Sequence, residues 1–333
     1  MCILKSKRKD RKILVSGASG IVGYGILRSL RRNHEKGILI GTSIYNDSIA
    51  PAFCDIFELA PKTNEPFYID WLCKTIRKHN VNMVIPGIEI DMITWNRERK
   101  RINKTGTFAL LNNSELIELC VDKWKFYKRL NSTSSKLAIE SRLEGSFEGL
   151  KEDFGLPFLL KPRSGFGSKG IVIVENKEVF QKNVGKLGAV LMAQPIVGSD
   201  LEEYSTSAFF DRECFLLTYI TLRRTLSKDG FTEKAEVVNL GKVKEAIEEL
   251  SKIFKPIGPT NFQFRLKEGQ LKLLEINPRI SSATSIRAAF GYNESFMSVN
   301  YFLNGTPPIQ PRIRRGHAVR YIEDHIFYDS TNI

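Results

Sequence analysis

A carboxylate, an amide and a guanidinium stand at alternate positions in Leu271-Lys-Leu-Leu-Glu275-Ile-Asn277-Pro-Arg279, a stretch that otherwise reads as a buried strand. Residues i, i+2 and i+4 of an extended chain project to one face, so Glu275, Asn277 and Arg279 are expected to share a side. A carboxylate beside an amide oxygen suits a hard cation such as Mg²⁺, and a nearby arginine suits a phosphate. Pro278 cannot donate to a ladder, so the strand should end there. An isolated Glu-x-Asn is more ordinarily a strand end whose polar groups reach solvent. The rest of the chain has to decide between the two.

Upstream, Gly258–Arg265 sets Asn261, Gln263 and Arg265 at alternate positions, and Lys267–Gln270 turns the chain back. Gln263 and Glu275 should then face each other on neighbouring antiparallel strands. A second polar intrusion stands in Phe158-Leu-Leu-Lys161-Pro-Arg163, followed by the glycine-rich Ser164-Gly165-Phe-Gly167-Ser168-Lys169-Gly170 and by Ile171–Val174, which together read as a hairpin. The loop lacks the Gly-x-x-x-x-Gly-Lys-Ser/Thr order of a P-loop. Its small residues and Lys169 still let backbone N–H groups approach phosphates, although a solvated hairpin tip is as good a reading of the loop alone. Lys161 favours the former: a charge ending an apolar strand needs an anionic partner or a route to water.

The elements that must carry these groups alternate in kind. Ile13–Val15 reads as a strand, Gly17–Gly23 as a glycine turn, and Val22, Ile26, Leu27 and Leu30 recur at helical spacing. Strands at Gly37–Gly41 and Val81–Pro86, with a helix over Trp71–His79, point to a parallel, doubly wound sheet. A dinucleotide-binding oxidoreductase is the tempting inference. Against it, the second strand ends Gly41-Thr42-Ser43 with no acid for a ribose hydroxyl, and no tyrosine has a lysine four positions later. Farther on, Ser114 is an N-cap candidate for a helical stretch over Asn112–Leu130, Asn131–Lys136 is a connector, and Ala189–Gln194 and Tyr204–Phe210 are strands. Lys242–Phe254 is an amphipathic helix with Val243, Ile247, Leu250 and Phe254 on one stripe.

Composition narrows the class. The 333 residues, 42% hydrophobic and 26% charged, suffice for two or three globular domains. No apolar run approaches a membrane span, and Met1–Lys12 lacks the apolar core of a secretory signal. Five scattered cysteines without a Cys-x-x-Cys pair fit a reducing cytoplasm, and four histidines form no His-Glu-x-x-His pattern. The net charge of +13 is not accompanied by an aromatic-interleaved RNA motif, so it points to small anionic ligands and a solubilised surface, with no nucleic-acid or membrane partner expected.

Gly-Pro-Thr-Asn-Phe-Gln263 followed by Leu-Leu-Glu275-Ile-Asn277-Pro-Arg279, in this order after Lys123 and Lys161, resembles the ATP-grasp superfamily. The style is that of the synthetase units of carbamoyl phosphate synthetase large subunits and of biotin carboxylase, and the resemblance covers roughly Lys12 to Tyr321. It implies an α/β chain, α+β in its C-terminal part. A Rossmann-like pre-ATP-grasp domain over 1–112 would precede an ATP-grasp domain over 113–333, with a lid subdomain about 132–192 and a catalytic subdomain about 193–333. It implies ATP with Mg²⁺ (or Mn²⁺), held through Gln263, Glu275 and Asn277, and Arg279 facing the transferred phosphoryl group. Lys123 and Lys161 would be the two nucleotide lysines, Lys161 contributing to catalysis with Arg279. Gly165, Gly167, Ser168, Lys169 and Gly170 would form the phosphate lid. Gln194, Pro195, Ile196 and Val197 would be the adenine hinge, where the family more often has an acid at the position of Gln194. Glu203 would hold the ribose, with Glu202 as the alternative register.

The implied activity is a cytoplasmic ligase that phosphorylates a small carboxylate to an acyl phosphate for attack by an amine, a thiol or another nucleophile, with a homodimer as a possible assembly. The alternatives are a nucleotide-binding module without turnover and, less favoured, the NAD-dependent oxidoreductase. The carbamoyl phosphate enzymes carry a second arginine near Ser282; this chain does not, which favours a carboxylate larger than bicarbonate. Arg223, Arg224 and Arg287 are candidates for holding that substrate.

Overall fold

The computed structural model describes residues 11–32, 37–165, 170–228 and 230–328. It opens on β1 (Lys12–Val15), α1 (Ile21–Arg32), β2 (Ile38–Ser43), β3 (Ile56–Leu59), α2 (Tyr68–His79), β4 (Met83–Ile85), α3 (Glu89–Arg97), α4 (Arg99–Asn103) and β5 (Phe108–Ala109). The strands pair in parallel in the order β3-β2-β1-β4-β5. β3 is an element the periodicity does not announce: its four residues are half-buried or exposed, so no run of apolar positions marks it. Ile26, Leu27 and Leu30 of α1 are fully buried against Ile13, Val15 and Met83, as the helical spacing predicts. The glycine turn serves this packing. A Cβ at Gly23 would lie 2.2 Å from the Gly17 carbonyl oxygen, and one at Gly87 would lie 2.0 Å from that of Ser16. At the end of β2, Ser43 shares a hydroxyl–hydroxyl hydrogen bond with Ser19 (2.9 Å), in place of the acid a dinucleotide site requires.

The chain continues through α5 (Ser114–Val121), α6 (Lys123–Asn131), α7 (Phe147–Phe154), β6 (Phe158–Pro162), β7 (Val172–Val174), α8 (Lys177–Gln181), β8 (Leu191–Pro195), β9 (Glu203–Phe210), β10 (Leu216–Leu226), β11 (Thr232–Val237), α9 (Val243–Phe254), β12 (Gly258–Lys267) and β13 (Gln270–Asn277). The helical stretch expected over Asn112–Leu130 divides at Asp122 into α5 and α6. Asn113, rather than Ser114, caps the first by accepting from the Glu115 N–H, and the extended backbone of Asp122 breaks the run and caps the second.

Strands β6, β7 and β8 form a small antiparallel sheet, and β13-β12-β9-β10-β11 form a larger one, extended at its edge by β14 (His317–Val319). One face of the larger sheet, with Tyr204, Ala208, Phe210, Phe262, Phe264 and Ile276, packs on Leu116, Phe126, Leu130, Val243, Ile247, Leu250 and Phe254 of α5, α6 and α9. The other face carries Glu203, Ser205 and Ser207 of β9 opposite Arg265, Gln263 and Asn261 of β12.

Two compact units result. One comprises residues 1–111, 279–313 and 321–333, the other residues 112–278 and 314–320. The chain returns to the first unit at Arg279, whereas the sequence reading keeps everything after 112 in one domain. The returning segment contains α10 (Thr284–Ala289) and α11 (Glu294–Asn304). Ile280 and Val299 bury themselves in the core of α1 and the parallel sheet, and Asn293 donates to the Ser29 carbonyl at 2.6 Å. None of the described helices is long and apolar enough to cross a membrane.

Candidate active site

Strand alternation builds this site. In β6 and β8, Leu159 pairs with Gln194 and Lys161 with Met192, so these four point away from the face on which Phe158, Leu160 and Ala193 pack with Phe147, Leu150 and Phe180. On the larger sheet, Gln263 lies directly opposite Glu275 and Asn261 opposite Asn277, in the pairing the alternation predicts. A bulge after Gln263 shifts the register, so Leu273 rather than Leu274 opposes Phe264.

These polar faces line one cavity of ≈ 180 Å³ in the second unit. Of the residues expected at the site, Lys123, Lys161, Gly165, Gln194, Pro195, Ile196, Val197, Glu203, Gln263 and Glu275 all border it. Asn277 donates through Nδ2 to Glu275 Oε1 at 2.9 Å. Gly170 stands at φ +77° beside Pro162. Gly167, Ser168 and Lys169 lie outside the described residues. Arg279 is past the end of β13 and clusters with the first unit, where its guanidinium meets Glu89 Oε2 at 3.3 Å. The strand alternation that pairs Glu275 with Asn277 stops at Pro278.

Lys161 is half-buried, and burial lowers its ammonium pKa from 10.5 to about 8. The Lys123 charge acts in the same direction, and the Glu275 carboxylate opposes both. Two cations near one carboxylate make a cavity with excess positive charge, which an anion would relieve. Lys123 Nζ donates to the Gly165 carbonyl at 2.6 Å, at the foot of the glycine loop. At the other end, buried Gln194 donates through Nε2 to Ser141 Oγ at 2.6 Å.

Several supporting groups have no local signal. Arg163 reaches back 41 positions to Asp122, with Nη2 at 2.6 Å from Oδ2, while Asp122 Oδ1 accepts from the Trp124 N–H at 2.9 Å. Burial alone would raise the Asp122 carboxyl, but Arg163 and the helix N–H groups outweigh it and hold it below 3.8. The Lys123 N–H in turn donates to the Arg163 carbonyl at 2.8 Å, so this pair ties one nucleotide-lysine candidate to the strand of the other. A charged residue two positions after Lys161 is the only hint the sequence offers. The three arginines considered for substrate are all engaged. Arg223 pairs with Glu236 at 2.5 Å, Arg224 with Glu203 at 2.7 Å, and fully buried Arg287 with Glu294 at 2.5 Å.

For a hard divalent cation the donors are one carboxylate, Glu275, and the amide oxygens of Gln263 and Asn277. All are oxygen ligands, and the set is short enough that phosphate and water must complete it, which is how Mg²⁺ is commonly held. Among the described residues there is no group of three or more His, Cys, Asp or Glu side chains that could hold a metal by itself. A second cavity, ≈ 470 Å³, lies in the first unit beside Arg28, Arg31 and Arg32. Its one carboxylate, Asp55, is already paired with Arg31, so it has no comparable donor set.

Residues 202–325 match the family described as "ATP-grasp in the biosynthetic pathway with Ter operon". The chain is 22% identical over 326 residues to the carbamoyl phosphate synthase large chain of Methanosarcina mazei, covering 86% of this chain and 29% of that protein. The arginine-specific large chain of Bacillus subtilis is also 22% identical, over 308 residues. The chain thus spans under a third of the length of these curated relatives. Among solved structures, N5-carboxyaminoimidazole synthetase from Staphylococcus aureus, complexed with ADP, superposes with a TM-score of 0.72 at 18% identity, over 91% of this chain and 80% of that one. The biotin carboxylase domain of the Hydrogenobacter thermophilus 2-oxoglutarate carboxylase, in complex with MgADP, ADP and bicarbonate, gives 0.68 at 15% identity, over 92% and 73%.

Proposed function

We propose that this chain, whose fold is that of the ATP-grasp superfamily, is an ATP- and Mg²⁺-dependent ligase that phosphorylates a small-molecule carboxylate and passes the acyl group to an amine or another nucleophile. The observation that carries the reading is the convergence of Lys123, Lys161, Gln263 and Glu275, from α6, β6, β12 and β13, on one cavity.

The chemistry asks little of side-chain nucleophiles. A carboxylate is a poor electrophile at neutral pH. Transfer of the ATP γ-phosphoryl group to one carboxylate oxygen breaks the bond to the β-phosphate, releases ADP and gives an acyl phosphate; attack by the nucleophile at the carbonyl carbon then expels inorganic phosphate. The protein's part is positioning and charge neutralisation. In this reading the Lys161 and Lys123 ammonium groups hold the phosphates, and the backbone of Pro195 to Val197 meets the base. Gln194, held through Nε2 by Ser141, borders the cavity at the same end. Gln263, Glu275 and Asn277 would hold Mg²⁺, which when bound neutralises charge on the phosphates. Arg279, two positions beyond Asn277, is assigned to charge on the transferred phosphoryl group.

The test is ADP release by purified protein with Mg·ATP against pooled carboxylates and pooled amines or thiols. Carboxylate-dependent ADP release is expected, falling to background in Glu275→Ala. Nucleotide binding with no turnover across the whole pool would instead assign the chain as a binding module.

A further inference from the structure

The ribose end of the cavity does not look as the resemblance implies. Strand register sets Arg224 of β10 and Arg265 of β12 directly opposite Glu203 of β9, so the three form one row across the sheet. The next row on the same face holds Ser205, Gln263 and Glu275, one residue pair or ~7 Å away. Arg224 donates to Glu203 Oε1 through Nε (3.1 Å) and Nη2 (2.7 Å). Arg265 donates to Oε2 through Nε (3.2 Å) and Nη2 (2.9 Å). An ionised carboxylate offers about four lone-pair sites, and here all four are taken by guanidinium donors. Arg265 also reaches the Val197 carbonyl through Nη1 at 3.5 Å, which ties the row to the hinge.

We infer that Glu203 is a positioning residue: it fixes Arg224 and Arg265 as the floor of the cavity beneath the sugar and does not itself hold the ribose hydroxyls. The inference rests on the nucleotide reading above. A sugar hydroxyl could bind Glu203 only by displacing a charge-assisted hydrogen bond within a buried row, exchanging a strong interaction for a weaker one. What the row offers instead is a net single positive charge one step from the proposed metal ligands, which favours the polyphosphate without reading the sugar.

The experiment compares the affinities of ATP, 2′-deoxyATP and 3′-deoxyATP, each with Mg²⁺, for the wild-type chain and for Glu203→Gln by calorimetry. The amide cannot hold both guanidinium groups, so the variant should weaken all three nucleotides by a common factor and leave the ratio of ATP to either deoxynucleotide within threefold of the wild-type ratio. A wild-type preference for ATP that collapses tenfold or more in the variant would overturn the inference. Should the variant fail to fold, the wild type alone decides: deoxynucleotides within threefold of ATP support the inference, and a tenfold or larger penalty contradicts it. Absence of binding by any of the three would instead sink the nucleotide reading itself, and this inference with it.

Discussion

Lys161 keeps its charge where burial makes charge costly, and that makes its titration a direct probe of what it binds. Its pKa of about 8 belongs to the ligand-free protein, in which burial and the Lys123 charge lower it and Glu275 supports it. A phosphate against the ammonium would push the pKa back up. The sign then follows by linkage. Protonated Lys161 is the binding form, so ATP affinity is full below pH 8 and declines as the pH rises through it. Complex formation at pH 8, where free Lys161 is half protonated, takes up as much as about half a proton. Calorimetry at that pH in buffers of different ionisation enthalpy should show the uptake; an identical heat in every buffer would exclude Lys161 from the phosphate contact. Lys161→Ala removes a charge-assisted contact worth roughly 1.5–3 kcal/mol, a loss of about 10- to 150-fold in ATP affinity.

The Asp122–Arg163 pair joins the start of α6 to the end of β6, and through them the placement of Lys123 and Lys161. Asp122 performs two tasks, capping the helix and accepting from Arg163, and two substitutions separate them. Asp122→Asn keeps a capping oxygen and loses the ion pair, while Asp122→Ala loses both. Ala should therefore cost about 1 kcal/mol more than Asn in a denaturant midpoint, the usual worth of a cap. Equal losses would show that the cap is not made. Because the folded-state pKa of Asp122 is depressed, this stabilisation is present above its ordinary value of 3.8 and disappears as the pH falls through the folded one. At this scale the legible part of the chain was what alternates locally: the β6–β7 hairpin, the amphipathic α9, and the pairing of Gln263 with Glu275 over a short turn. Arg163 and Asp122 are 41 positions apart and Glu203 and Arg265 62, and no local pattern reports a pair that only the folded sheets bring together. β3 escaped for another reason, since a half-exposed edge strand need not alternate strictly.

Over the whole chain, the last third divides between two units, and the first reclaims it at Arg279. α10 and α11 dock on α1, and Arg287, entirely enclosed, donates to Glu294 from the next helix and to Ser281. The guanidinium is a lock within that unit and not a substrate contact. Arg287→Ala leaves the Glu294 carboxylate buried without its partner, which should cost about 3–5 kcal/mol of stability in chemical denaturation. A variant of unchanged stability with an altered KM would restore Arg287 as a substrate group. That lock was invisible in sequence because an arginine reads as surface until its burial is known. The central claim, that the second unit binds nucleotide through Lys161 and Glu275, is met most directly by titrating ADP with and without Mg²⁺ into the wild type, Lys161→Ala and Glu275→Ala. The account predicts that ADP binds the wild type, more tightly with Mg²⁺, that Lys161→Ala weakens binding in both conditions, and that Glu275→Ala abolishes the gain from Mg²⁺ alone. Failure of the wild type to bind ADP, or affinities unchanged in both variants, would contradict it.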